Sequence, residues 1–326
     1  MIHDVPLERR TLHGRFSPDL PPVLTVEPGD SVRFAALDSG WGLEPPRADG
    51  PVRRRFEPRD PERDEGHALV GPIEVRGARA GQTLSVRIDE VRVGSYGFTI
   101  AGGFSTPLNE RLEVAGGDER LLVWQLDPDA GTARDQDGRA VELRPFLGVL
   151  GMPPPEPGLH STAPPRRSGG NIDCTELVAG TTLFLPIPVD GALFSAGDGH
   201  ARQGDGELSQ LAIECPIERA VLTLDVRDDL RLEWPIARTA DAWITFGFDE
   251  DLDEAAAIAI ECMLDLMERE HGLERRDALA LASVVVDLRV TQLVNRSRGV
   301  HAILRDDAIT FAAGHSRRAG DESGRT

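Results

Sequence analysis

The chain has 326 residues, 40% of them hydrophobic and 28% charged, which is enough apolar material for a sizeable core and too varied for a disordered chain. Its formal net charge of −19 repels nucleic acid and anionic lipid. None of its basic residues is lysine, which excludes Schiff-base and PLP enzymes, P-loop NTPases and amidases built on a catalytic lysine, because arginine does not give up its proton.

The N-terminal MIHDVPLERR has no apolar signal core, and no apolar run approaches the roughly 20 residues of a membrane span. Neither a membrane nor secretion is therefore expected. Cys174, Cys215 and Cys262 lie far apart and never as C-x-x-C, so the expected compartment is a reducing cytoplasm.

In chain order, Val23–Val26 and Ser31–Ala36 read as strands around the turn Glu27-Pro-Gly-Asp30. Thr83–Val93 alternates Leu84, Val86 and Ile88 with polar residues, as a half-buried strand does. Residues 39–65, with the arginine-rich stretch 47–63, show neither period and predict a long functional loop. A second loop is expected over Gly148–Gly170, where Pro153-Pro-Pro155 and Pro164-Pro165 oppose helix and central strand.

Strands are expected again at Thr182–Pro188, Ala192–Ser195, Leu208–Ile213, Ala220–Val226 and Ile244–Phe248. Asp251-x-x-Glu254 then opens an apolar-periodic helix that closes at His271-Gly272. A second helix, Arg275–Arg289, completes an αα-hairpin. The predicted fold is mainly β, a sandwich or distorted barrel of mixed sheets with a C-terminal helical hairpin, α+β overall. The expected parts are 1–145, 146–250 carrying the site motifs, 251–313, and a disordered tail over 314–326.

Chemistry concentrates between Gly169 and Glu214. Gly197-Asp-Gly-His-Ala-Arg-Gln-Gly-Asp-Gly-Glu207 sets Asp198, His200, Asp205 and Glu207 among glycines that let a backbone approach a ligand closely. The bland reading is a polar hairpin loop without a ligand. An EF-hand is excluded, because helical flanks are missing and His200 and Arg202 break the acid ladder. The imidazole points instead to a borderline ion such as zinc.

Upstream, Asn171 and Asp173 alternate with Ile172 and would share one face of an extended segment. Downstream, Glu214 ends the apolar run Leu211-Ala-Ile213, at a strand end in solvent or buried and paired. Cys174 has no basic neighbour to lower its pKa and reads as a small buried residue. His301, in an apolar run, reads as a core histidine. No G-x-S-x-G elbow supports a serine triad.

Taken together in their order, several motifs resemble the acetamidase/formamidase family. They are GPIEVRGARAGQTLSV (Gly71–Val86), GGNID (Gly169–Asp173), TTLFLPIPVDGALFSAGDGHARQGDGE (Thr181–Glu207), AIE (Ala212–Glu214) and SVVVDLRVTQLVNRSRGVHAIL (Ser283–Leu304). The resemblance implies a β-rich fold with appended helices, hydrolysis of formamide, acetamide or related short amides, and a divalent metal in or near the site. Its matching positions are Asn171, Asp173, Asp198, His200, Asp205, Glu207 and Glu214. The arginine-rich loop departs from the pattern.

On that reading a metal is held by Asp173, His200 and either Asp198 or Glu214, while Glu214 or Glu207 moves the proton and Asn171 stabilises the oxyanion. His67, Asp205 and Tyr96 are expected to line the substrate. Zinc is the expected ion, with calcium as a second, structural one. The expected partners are a small amide and a second copy of the chain in a homodimer or larger homo-oligomer. A hydrolase of lactams or other amidated metabolites and a non-catalytic metal- or ligand-binding β protein are the alternatives.

Overall fold

The computed structural model describes residues 1–47 and 53–310. The period-two run at Thr83–Val93 forms one continuous strand with Leu84, Val86 and Ile88 buried. It pairs antiparallel with Ile217–Arg227 on one side and Thr182–Pro186 on the other. Beyond these lie Asp30–Ala36 and Ile2–Val5 at one end, and Ile236–Arg238, Ala242–Asp249, Arg298–Arg305 and Val286–Gln292 at the other.

A second sheet faces the first. Its Phe194–His200 strand pairs with Phe146–Gly151, and also with Leu69–Val75 and Glu214–Cys215. Val32, Val86, Ile88 and Leu222 of the first sheet and Leu147, Leu150, Phe194 and Ala196 of the second belong to one buried cluster. The sheets therefore stack as a sandwich and close no barrel. Strands from either side of residue 145 interleave in both sheets.

The helical hairpin packs on the outer part of the first sheet. Asp251 accepts a hydrogen bond from the Asp253 N–H at 2.8 Å and starts the helix Leu252–His271, which Gly272 ends at φ 64°. Its Ala255, Ala259, Met263 and Met267 pack with Phe184, Val300, Ala302 and Leu304. No helix of the described residues is long and apolar enough to cross a membrane. The expected tail, 314–326, falls outside the described residues.

Four expectations change. The strand expected at Ala192–Ser195 runs from Phe194 to His200, straight through the glycine-rich motif, and Gly148–Gly151 belongs to its strand neighbour and not to a loop. Leu208–Ile213 is not a strand: Gln210 turns back through a left-handed backbone, φ 72°, to reach the Glu207 carbonyl at 2.8 Å. The second helix stops at Val285, because the β-branched run continues as the strand Val286–Gln292 against Arg298–Arg305.

Candidate functional site

His200, the last residue of its strand, stands opposite Phe146 on one side and Glu214 on the other. The Phe146 ring meets its imidazole edge-on, with centroids 4.9 Å apart. Nε2 of His200 lies 3.2 Å from Glu214 Oε1 and 3.6 Å from Asp198 Oδ1. Ligating atoms of Asp198, His200 and Glu214 lie within 4.8 Å of one another, as do those of Asp173, His200 and Glu207. All five side chains are buried. Separate stretches of chain thus bring four carboxyl groups to one histidine.

The backbone is bent to do this. Asp173, Asp198 and Glu207 have φ of 53°, 62° and 47°, a region that costs a residue with a β-carbon about 1 kcal/mol or more. Neighbours fix the geometry: Asp173 donates its N–H to the Gly148 carbonyl at 3.3 Å, and its own backbone carbonyl accepts from Gln203 Nε2 at 2.8 Å.

Gly148 forms the floor. A β-carbon there would stand 2.5 Å from Asp198 Oδ2, 2.6 Å from Asp173 Oδ1 and 2.9 Å from His200 Cε1. The three side chains therefore converge over a position that only glycine leaves free.

Both carboxylate oxygens of Asp173, Asp198 Oδ1, Glu214 Oε2 and His200 Nδ1 are buried without a hydrogen-bond partner. Glu214 Oε1 accepts from the Ala212 N–H at 3.1 Å. One imidazole does not compensate four desolvated carboxyl groups. Buried oxygen donors with one ring nitrogen, left unsatisfied, fit a divalent cation.

The electrostatics follow from this crowding. Burial, opposed by His200 and reinforced by Glu214 and Asp198, pushes Glu207 up to about 8. Burial and the charge of Glu207 raise Asp173 well above the carboxylate range. Burial would lower His200, but Glu214 and Asp198 overcome it and raise the imidazole well above its usual value. Burial would likewise raise Asp198, yet the charges of His67 and His200 outweigh it and hold that carboxyl at about 2.

A pH dependence of stability results. Glu207, at about 8 against an ordinary 4.5, binds its proton more tightly folded than unfolded, so its contribution is greatest below pH 4.5 and is lost as pH rises to 8. Raised Asp173 has the same sign, and raised His200 loses its contribution above its ordinary 6.5. Asp198 loses its own only as pH falls from 3.8 toward 2. Metal-free protein is therefore expected to lose a few kcal/mol between pH 4.5 and 8, with zinc flattening the slope. Thermal unfolding across that range checks it, and metal-free stability that is flat or rising would contradict the carboxyl crowding.

The other expected site residues separate. Asn171, on the strand Gly169–Asn171, is buried with an unpartnered Oδ1. His67 lies near enough for its charge to act on Asp198, and its Nδ1 is 2.9 Å from Thr162 Oγ1. Asp205 stands apart from the five-residue cluster, 3.2 Å from Thr175 Oγ1 and 3.6 Å from Arg289. The Tyr96 hydroxyl donates to Asp38 at 3.1 Å.

Four arginines of the arginine-rich loop are paired with acids. Arg53 makes a two-point pair with buried Asp38 at 2.8 and 3.2 Å and stacks over Phe98, the strand partner of Glu214. Arg54, Arg59 and Arg63 pair with Glu44, Glu57 and Asp64.

Sequence reasoning did not find a buried pair between His13 Nε2 and Ser195 Oγ, 2.9 Å apart. Their separation of 182 residues leaves no local signal. Ser195 lies near the opposite end of its strand from His200. Cys174 is buried as expected, and burial pushes its thiol far up, which bars a free thiolate nucleophile.

The model of the acetamidase/formamidase family matches residues 3–160 and 156–236. An acetamidase of Mycolicibacterium smegmatis is 27% identical in an alignment 256 residues long that covers 60% of this chain and 61% of that protein. A formamidase of Methylophilus methylotrophus is 26% identical in an alignment 249 residues long that covers 61% of this chain and 60% of that protein. The matched part thus spans about three fifths of each relative. The crystal structure of an acetamidase from Bacillus halodurans superposes with a TM-score of 0.81 at 26% identity, covering 92% of this chain and 97% of that one.

Proposed function

The chain belongs to the acetamidase/formamidase family, and from that premise we propose that it hydrolyses short-chain amides of the formamide or acetamide type to ammonia and a carboxylate with the help of a divalent ion. The observation that carries this reading is the convergence of four buried carboxyl groups on His200. Amide resonance weakens the carbonyl as an electrophile, and the nitrogen leaves only when protonated. Both ends of the bond need help.

Asp173, Asp198 and His200, which close over Gly148, hold the ion, and zinc suits their donor set. When bound, it supplies Lewis-acid polarisation of the carbonyl. Glu214, with Oε2 unpartnered, takes the proton of the attacking water. Glu207, pushed up to about 8, is a carboxylic acid at neutral pH and delivers a proton to the departing nitrogen. The Asn171 side-chain amide donates to the developing oxyanion, and His67 faces the substrate beside Asp198.

The apolar side chains of Leu279, Val284 and Leu288, exposed on the second helix and the strand after it, supply a surface for the homo-oligomer.

Ammonia release from formamide, acetamide and larger amides, by chelated and zinc-replete protein, is the test. Release is expected with zinc and is expected to vanish on chelation. No ammonia from any amide with zinc present would overturn the amidase reading, and full activity after chelation would overturn the ion's part in it.

A further inference from the structure

A second set of donor side chains begins at Cys174, the residue after Asp173. Cys174 and Glu176 follow the Gly169–Asn171 strand of one sheet, and His301 sits in the Arg298–Arg305 strand of the other. Their ligating atoms lie within 4.8 Å of one another and all three residues are buried. Cys174 Sγ is 3.2 Å, and His301 Nε2 3.4 Å, from Glu176 Oε2.

These separations carry chemical information. With zinc–nitrogen and zinc–oxygen bonds of about 2.0 Å and a zinc–sulfur bond of about 2.3 Å, tetrahedral angles place donor atoms about 3.3–3.5 Å apart. A second observation is independent of the distances. His301 is fully buried, its Nδ1 is engaged with Thr291 Oγ1 at 2.7 Å, and its Nε2 faces Glu176 without a hydrogen-bond partner. A hydroxyl that fixes one ring nitrogen and turns the other toward the donors is what orients a metal-binding imidazole.

The surroundings are charge-matched. Arg289 contacts Glu176 Oε1 at 3.0 Å and lies 3.6 Å from Asp205, while Thr175 Oγ1 joins Glu176 to Asp205. Glu176 Oε2 accepts from Thr175 Oγ1 at 3.0 Å and is also the oxygen that the thiol and the imidazole approach. Glu176 and Arg289 also line a cleft with Arg144, Thr181 and Ile303, while Cys174 and His301 are fully buried.

We propose that Cys174, Glu176 and His301 form a second, sulfur-containing site for a zinc-type ion, distinct from the His200 centre, that staples the two sheets together. Binding exchanges the thiol proton for the metal: the S–H bond breaks, the proton leaves to solvent, and the sulfur electron pair enters the metal bond. The ion changes no oxidation state.

Cobalt(II) added to the metal-free full chain tests this, because a thiolate ligand gives cobalt a near-ultraviolet charge-transfer band that carboxylates and imidazoles do not. The band is expected in wild type and in His200→Gln. It is expected to be lost in Cys174→Ser and kept in Cys215→Ser and Cys262→Ser. Thr291→Val, which leaves all three ligands in place, is expected to weaken the band-forming affinity about 10-fold or more.

No band in wild type at saturating cobalt overturns the proposal, with no dependence on how any variant folds. A band that survives Cys174→Ser, or an unchanged affinity in a folded His301→Gln, overturns it as well. The readout uses no amide, so its failure leaves the amidase reading untouched.

Discussion

Replacing Glu207 by glutamine is expected to lower kcat for a short amide between about 100- and 10,000-fold, while cation binding at the His200 centre changes little. Glutamine keeps the volume and the hydrogen-bonding reach of the side chain but has no proton to exchange. In the wild type burial pushes Glu207 up to about 8, so the acid form is present through neutrality and is lost above that pH. The proposed proton donor therefore predicts a rate that falls toward high pH, with the limb drawn below 8 by the field of a bound cation.

Glu207→Gln should flatten that limb as well as lower the rate. A purely structural role would lower the rate and leave the limb in place. Steady-state kinetics from pH 5 to 10 separate the two, and a variant with wild-type kcat would remove Glu207 from the chemistry.

Gly148→Ala is expected to cost about 100-fold in kcat/KM with a loss of stability of only about 1–3 kcal/mol. The added carbon would stand within 2.9 Å of atoms of Asp198, Asp173 and His200, so accommodating it means displacing the groups that converge there. The clash falls on side-chain ends, which is why the fold survives. The displaced groups are the proposed ligands, which is why function does not. Zinc affinity, measured by competition with a chromophoric chelator, should fall with activity, and an alanine variant with full activity would show that the cluster tolerates the shift.

These two positions were not equally legible in the sequence. Glu207 stood in a motif whose residue types announce chemistry, whereas Gly148 lay in a stretch read as a loop because of the prolines after it. The same misreading affected Asp198-Gly-His200, where the glycines were read as a loop that brings its backbone close to a ligand. In the fold, β-carbons at Gly197 and Gly199 would meet the Ala68 carbonyl at 2.4 Å and the Cys215 carbonyl at 2.6 Å, so these glycines let neighbouring strands close on a buried strand. A single sequence does not distinguish a glycine that turns from one that yields space.

What periodicity encodes was readable. The Thr83–Val93 strand and the Asp251 and Gly272 ends of the long helix match their expectations, since alternation and caps are local properties. Groupings across the chain were not. Cys174 and His301 read as two unconnected core residues because the contact between them exists only once both sheets are in register. Tyr96 suggested a pocket wall because of its flanking glycines, and nothing in the sequence hinted that its hydroxyl donates to Asp38.

The left-handed backbone of Asp173, Asp198 and Glu207 has an evolutionary consequence. Asp173 and Glu207 sit where their own conformation and the charges of neighbouring carboxylates both work against the fold, and Asp198 where its conformation alone does, so glycine or asparagine at the first two positions would relax the empty protein. The substitutions that destroy the centre are therefore among those that make the metal-free chain sturdier. Where cells no longer require the activity, drift should erode these acids ahead of the sandwich around them, leaving relatives that are robust, correctly folded and inert.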